Sequence, residues 1–287
     1  MLSSYIRDSV MKLGDKVLDL SQPQVMTIIN VTDDSFFEGS RTVDERSIVA
    51  RAEQAVAEGA TILDVGGYSS RSGAAELSVE DEWQRVRLGL RAVRSVSDIP
   101  VSVDTFRSEV ARRAVEEFGE LIINDISAGE LDANMVNVVA KYDLPYVAMH
   151  MRGTPQTMQS RTDYEQDIVS EVCQYFERRV EELRQRGVSK IILDPGFGFA
   201  KTLEQNYELL AGLGSLCQKG FPVLVGLSRK SMVYNLLDVT PAEALNGTTA
   251  LHWEALRQGA SILRVHDVRE AVEVVKLHEE YKKRLPR

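Results

Sequence analysis

Cysteine is nearly missing from this chain: there are two in 287 residues, Cys173 and Cys217. They form no CxxC pair, so neither a disulfide framework nor a thiolate zinc site is indicated, and both are expected to be reduced thiols packed against helices. Histidine is almost as scarce, with four, at 150, 252, 266 and 278. No HExxH motif and no i,i+4 pair occurs among them, which argues against a transition-metal centre. His252 and His278 are expected on helix surfaces. Positive charge is in deficit: 34 Lys and Arg against 43 Asp and Glu leave a net charge of −9. Nucleic-acid and membrane surfaces need a basic partner, so neither is expected. A small anionic ligand stays open, because a few local cations set its field. Long apolar runs are absent as well. The opening MLSSYIRDSVMKLGDKV lacks the apolar stretch of a signal peptide, and nothing approaches a membrane span. A cytoplasmic protein is expected.

What the chain does have is alternation. β-Branched apolar runs recur at 25–31, 61–67, 101–105, 121–127, 146–151, 190–196, 223–228 and 261–267. Longer amphipathic segments separate them, such as VEDEWQRVRLGLRAVRSV and YEQDIVSEVCQYFERRVEELRQRG. Gly59, Gly119, Gly187, Gly220 and Gly259 stand where helices should end. Strand followed by helix, repeated through the chain, predicts an α/β protein of the TIM (β/α)8 barrel class. A doubly wound sheet is the alternative, but it usually has fewer units and a glycine-rich first turn. No linker-like composition interrupts the pattern, so one domain over 1–287 is expected. Residues 1–23 precede the first strand and are read as a plug for the barrel base, with Val17, Leu18 and Leu20 contributing.

The strands finish on polar residues. Asn30, Asp64, Asp104, Asn124 with Asp125, His150, Asp194, Ser228 leading to Lys230, and Arg264 with His266 all fall at or just past C-terminal ends. Any one of them fits a helix cap or an Asx turn. All eight together, with Lys, Arg and His among them, point to a site at the C-terminal face of a barrel. Carboxylates only accept hydrogen bonds, so Asp104 and Asp194, with Asn124, suit a planar ligand offering adjacent N–H donors. The 2-amino-4-oxo-pyrimidine edge of guanine or a pterin is such a ligand, and Lys230 can donate to its carbonyl. In SILRVHDV, Arg264 and His266 share one face of a strand, and with Arg71 they are suited to a phosphate or diphosphate. Mg2+ accompanying a diphosphate remains open.

Two segments imitate other motifs. DPGFGFAKT resembles a phosphate loop, but Ala200 replaces the glycine before Lys-Thr and the upstream glycine is missing. GGYSSRSG is glycine-rich without GxGxxG spacing, and reads as a loop carrying Arg71 over the mouth.

INVTDDSFFEG, ILDVGGYSSRSGA, VSVDTFRSEVA, IINDISAG, MHMRGTPQTMQ, ILDPGFGFAKTLEQN, VLVGLSRKS and ILRVHDV resemble, in order, the motifs of the dihydropteroate synthases. The resemblance covers residues 25 to 270, and SRKS, RVHDV and NVTxDSF are its most specific parts. Members join (7,8-dihydropterin-6-yl)methyl diphosphate to 4-aminobenzoate, forming 7,8-dihydropteroate and pyrophosphate in folate synthesis. Carried over by motif, Asp104, Asn124, Asp194 and Lys230 would hold the pterin, with Met149 and Phe199 near it or near the second substrate. Asn30 would ligate Mg2+. Arg71, Arg264 and His266 would bind the diphosphate, and Ser70 and Ser231 would lie close to the aminobenzoate. The family implies SN1-like displacement, closure of loops 32–42 and 67–76 over the site, and a homodimer through the outer helices.

The chain departs from the family at Asp33, usually proline, and at Tyr68, Ser70 and Ser72, usually Glu, Thr and Pro. The change at Asp33 implies a looser first loop, and those at Tyr68, Ser70 and Ser72 bear on the aminobenzoate pocket and on the response to sulfonamides. Two rival readings share the pterin pocket. A methyltetrahydrofolate-corrinoid methyltransferase-type barrel gives Arg71, Arg264 and His266 nothing to bind. A pterin-binding homologue impaired in catalysis by its second loop would bind the diphosphate without releasing pyrophosphate.

Overall fold

The computed structural model describes residues 9–31, 41–68 and 77–285, with the side chains of 41–44 left aside. The chain opens with a hairpin, β1 (Val10–Leu13) and β2 (Lys16–Asp19), paired antiparallel. Eight parallel strands follow: β3 (Gln24–Asn30), β4 (Ile62–Gly66), β5 (Val101–Asp104), β6 (Ile122–Asp125), β7 (Tyr146–Met149), β8 (Ile191–Asp194), β9 (Leu224–Val225) and β10 (Ile262–Val265). They run in the order β8-β7-β6-β5-β4-β3-β10-β9, and a parallel bridge between Leu193 and Val223 joins the two ends. This is the expected TIM barrel. All eight anticipated runs carry a strand, although in the one expected over 223–228 only Leu224 and Val225 pair with β10, Val223 adding the bridge to Leu193. Its ladder stops at Gly226, where the chain turns into Ser228-Arg229-Lys230.

The helices are α1 (Arg41–Glu58), α2 (Val79–Val96), α3 (Ser108–Phe118), α4 (Met135–Lys141), α5 (Ile168–Gln185), α6 (Leu203–Ala211), α7 (Leu213–Cys217), α8 (Ser231–Leu237), α9 (Leu245–Gln258) and α10 (Val268–Lys282). Local chemistry starts them. Ser78 accepts from the Asp81 amide, Asp167 from the Ser170 amide, and Thr202 forms a capping box with Gln205. The five glycines read as helix ends all have positive φ, from 81° to 107°.

Two apolar layers result, because successive strand residues point to opposite faces. Outward residues such as Val65, Val103, Ile123 and Ala148 pack under helix residues that include Trp83, Leu90 and Phe176. Inward residues Met26, Ile62, Ile122, Val147, Ile192, Leu224 and Ile262 form a second cluster with Met11, Leu13, Leu18 and Leu20 of the hairpin region. The hairpin therefore covers the barrel base. Val17, expected in that plug, is 58% exposed, since it alternates with Leu18 along β2 and faces away. No described helix is long and apolar enough to cross a membrane.

Two histidines correct the sequence reading. His252 is 2% exposed and His278 is 8% exposed, so neither lies on a helix surface. His278 packs edge-on to Trp253, with ring centroids 5.7 Å apart, between α9 and α10. Both cysteines are free thiols, half-buried on α5 and α7.

Candidate active site

One turn of the pleat above the apolar inward layer, the barrel becomes polar. Residues two positions further along their strands share a face with the apolar ones. Ile62 is followed by Asp64, Ser102 by Asp104, Ile122 by Asn124, Ile192 by Asp194, and Ile262 by Arg264. Val147 is followed by Met149, which keeps one side of the mouth apolar.

Arg264 spans this layer. From β10 it reaches past β3, its Nε donating to Asp64 Oδ2 at 2.6 Å and its Nη2 to Asp104 Oδ2 at 2.6 Å. Asn124 Nδ2 donates to the same Asp64 oxygen at 3.1 Å. Four strands are thus tied by one network around a fully buried carboxylate, Asp64. Its Oδ1 is buried with no hydrogen-bond partner among the described residues. Burial pushes Asp104 up to about 7; Arg264 opposes the shift, and Asp64 adds to it. For Arg264, burial works against the charge, but Asp64 and Asp104 outweigh it and raise the affinity for the proton.

A second group sits around β8 and β9. Asp194 is 7% exposed, and its Oδ1 accepts from the Gly196 amide at 2.8 Å. Burial raises its pKa, with Lys230 opposing. Lys230 donates to the Phe197 carbonyl and lies 4.8 Å from the centroid of the Phe199 ring. Burial lowers Lys230 to about 8, and Asp194 pulls it back up. Phe199 and Met149 belong to an apolar cluster with Ile126, Met151, Met158 and Ala200, so the mouth has carboxylates on one flank and apolar side chains on another.

The Arg264–His266 pair divides its work. Arg264 turns to the two aspartates, while His266 Nδ1 lies 3.1 Å from Ser228 Oγ, which also accepts the His266 amide at 3.2 Å. Asn30 is exposed at the end of β3, and Ser231 is exposed at the start of α8. Ser70 and Arg71 lie outside the described residues, as do Asp33, Ser72 and most of loops 32–42 and 67–76. Helix α1 already begins at Arg41, inside the first of those loops. Tyr68 is described: its ring meets Phe106 edge-on at 5.2 Å, and its hydroxyl accepts from Gln156 at 3.1 Å.

Three residues have roles that the sequence reading did not assign. Asp64 was seen only as a strand end, yet it anchors Arg264. Asp125 faces away from its neighbour Asn124; it accepts from the Ser127 amide and hydroxyl, the Gly129 amide and Tyr146, so it shapes the loop and does not face the mouth. Arg229 makes a two-pronged ion pair with Asp267, at 2.8 Å for both contacts, and also donates to the carbonyls of Pro241 and Ala242. That pair joins the loop of Lys230 to the loop of His266. An acid directly after RVH and an arginine directly before Lys230 were the available signals.

A family model described as pterin binding enzyme matches residues 26–266, from the first barrel strand to His266. The dihydropteroate synthase of Escherichia coli K12 is 45% identical over 264 residues, covering 91% of this chain and 93% of that protein. Yersinia pestis dihydropteroate synthase, solved with a sulfonamide drug complex, superposes with a TM-score of 0.88 at 39% identity, over 96% of this chain and 99% of that one. The Xanthomonas albilineans enzyme solved with 4-aminobenzoic acid gives 0.87 at 35% identity, over 97% and 99%. Matches of that identity and extent, on a barrel with this polar rim, show that the chain belongs to the dihydropteroate synthases of the pterin-binding enzyme family.

Proposed function

We propose that the chain condenses (7,8-dihydropterin-6-yl)methyl diphosphate with 4-aminobenzoate in the cytoplasm, giving 7,8-dihydropteroate and pyrophosphate. The observation that carries this reading is the polar layer itself: Asp64, Asp104, Asn124, Asp194, Lys230 and Arg264 gathered at one rim.

Asp104 and Asp194 accept from the N–H groups of the pterin's amino-pyrimidine edge, Asn124 bonds to the same edge through its carboxamide, Lys230 donates to the carbonyl, and Met149 and Phe199 line the flat face. Arg264, His266 and Arg71 bind the diphosphate. An arginine has five N–H groups, and the two aspartates take two from Arg264, so three remain for an anion. Ser70 and Ser231 lie close to the aminobenzoate.

The carbon–oxygen bond breaks with its electron pair leaving on the diphosphate. The positive charge left on the exocyclic methylene spreads into the dihydropterin ring, where Asp64, Asp104 and Asp194 favour it. The aromatic amine then bonds to that carbon and loses a proton. No enzyme nucleophile is required.

Mg2+ fits as an ion that arrives with the diphosphate. It prefers oxygen ligands and keeps several waters, so one or two protein oxygens suffice. Asn30 offers an exposed carboxamide oxygen at the rim, and among the described residues no cluster of His, Cys, Asp or Glu could cage a resident ion. Bound there, it would help neutralise the departing diphosphate. Leu236 and Leu237, 57% and 50% exposed on α8, supply apolar surface for the homodimer that belongs to the same proposal.

Pyrophosphate release by the full chain, with and without 4-aminobenzoate and Mg2+, tests the reading. Release that depends on the aromatic amine is expected; tight binding of the dihydropterin diphosphate with no release in any mixture would mean a binding protein.

A further inference from the structure

The lysine of DPGFGFAKT does not behave like a phosphate-loop lysine. Lys201 is 4% exposed and turns into the protein beneath its own loop. Its Nζ lies 3.0 Å from the Gly196 carbonyl, 3.0 Å from the Phe199 carbonyl and 3.0 Å from His150 Nδ1. An ammonium has three donors, and here it meets three acceptors. Two of them are the ends of the loop 196–199.

That loop needs holding. Gly196, Gly198 and Ala200 have φ of 69°, 80° and 50°, so left-handed residues alternate along it, one of them carrying a Cβ. It is also pressed against β7: a Cβ on Gly196 would stand 2.1 Å from the His150 carbonyl. The same few residues serve the pocket directly. The Gly196 amide donates to Asp194, the Phe197 carbonyl accepts from Lys230, and the Phe199 ring faces the Lys230 ammonium.

We propose that Lys201 is a positioning residue for the pterin pocket: by clamping both ends of loop 196–199, with His150 as its third partner, it fixes the directions of Asp194 and Lys230. The inference rests on the dihydropterin reading of the pocket and extends it one shell outward. Burial lowers Lys201 to about 7, with Asp194 opposing. The clamp holds in either state, since a neutral amine keeps two N–H groups for the two carbonyls and can accept from His150. His150, 3% exposed and edge-on to Tyr175 at 4.9 Å, is held in place for that exchange.

The test is steady-state pyrophosphate release by the full chain carrying Lys201→Met, which keeps an unbranched side chain one atom shorter and removes its donors. The KM for the dihydropterin diphosphate should rise about tenfold, while that for 4-aminobenzoate stays within about twofold. A lysine with only a folding role would lower kcat through the folded fraction and leave both KM values alone; that outcome overturns the proposal. His150→Gln and His150→Leu read the same clamp with the lysine intact. Gln restores a polar partner and should keep the wild-type KM, while Leu should raise the dihydropterin KM about threefold; equal values for the two overturn the role given to His150. Wild-type protein that releases no pyrophosphate defeats the functional reading before any variant is compared. An active wild type with an unchanged dihydropterin KM in Lys201→Met defeats this inference alone.

Discussion

Arg264 Nη2 stands 2.6 Å from Asp104 Oδ2, although two strands lie between β10 and β5 in the barrel. The same guanidinium holds the fully buried Asp64, so removing it leaves a buried carboxylate without its cation. Arg264→Ala should therefore cost about 3–5 kcal/mol of stability in denaturant unfolding. With Asp64→Asn already present, the same truncation should cost much less, a coupling on the order of 1–3 kcal/mol. Additive losses would show that the pair carries no linked energy. In binding, Arg264→Ala should weaken the diphosphate-bearing substrate far more than free pterin.

Asp104 makes stability depend on pH in a defined window. Burial raises it from 3.8 to about 7 despite Arg264. Between those values the folded state holds more protons than the unfolded one, so stability falls as pH rises through the window. Asp104→Asn removes that contribution. The variant's unfolding free energy relative to wild type should grow from pH 4 to pH 7; a constant difference would place Asp104 in the ordinary carboxylate range.

His252 acts with the opposite sign. Burial lowers it from 6.5 to about 4, with Asp267 opposing, and its Nε2 has no hydrogen-bond partner among the described residues. Here the unfolded state binds the extra proton, so stability present above pH 6.5 is lost as pH falls toward 4. His252→Leu should flatten the acid limb of a plot of Tm against pH between those values, which thermal scans in matched buffers would register.

The strand runs and their polar ends were legible because a parallel barrel buries both faces of each strand and gathers the C-terminal ends at one rim. That logic located Asp104, Asn124, Asp194 and Arg264 in one layer. It could not say which polar groups meet each other. Arg264 was read as an anion anchor, and in the structure its first partners are Asp64 and Asp104, from strands far apart in sequence. Lys201 was dismissed with the motif that contains it, since no local pattern shows that a lysine turns under its own loop. His252 and His278 were misplaced because the inner face of α9 and the α9–α10 contact are set by packing, while both residues sit in mixed polar surroundings in sequence.

Gly196 permits one further expectation. A methyl group there would meet the His150 carbonyl at 2.1 Å, and its φ of 69° disfavours any side chain. Gly196→Ala should lower Tm by several degrees and, because the loop must retreat from β7, weaken dihydropterin binding as well. A variant with wild-type Tm and affinity would mean that the loop does not position Asp194.

The most direct measurement is kcat/KM for pyrophosphate release by Lys230→Ala beside the wild type, with the dihydropterin diphosphate varied at saturating 4-aminobenzoate. A pterin pocket built on Lys230 and Asp194 predicts a loss of about a hundredfold, carried mainly by dihydropterin binding. A variant that kept near-normal kcat/KM would contradict the assignment of this rim to the pterin.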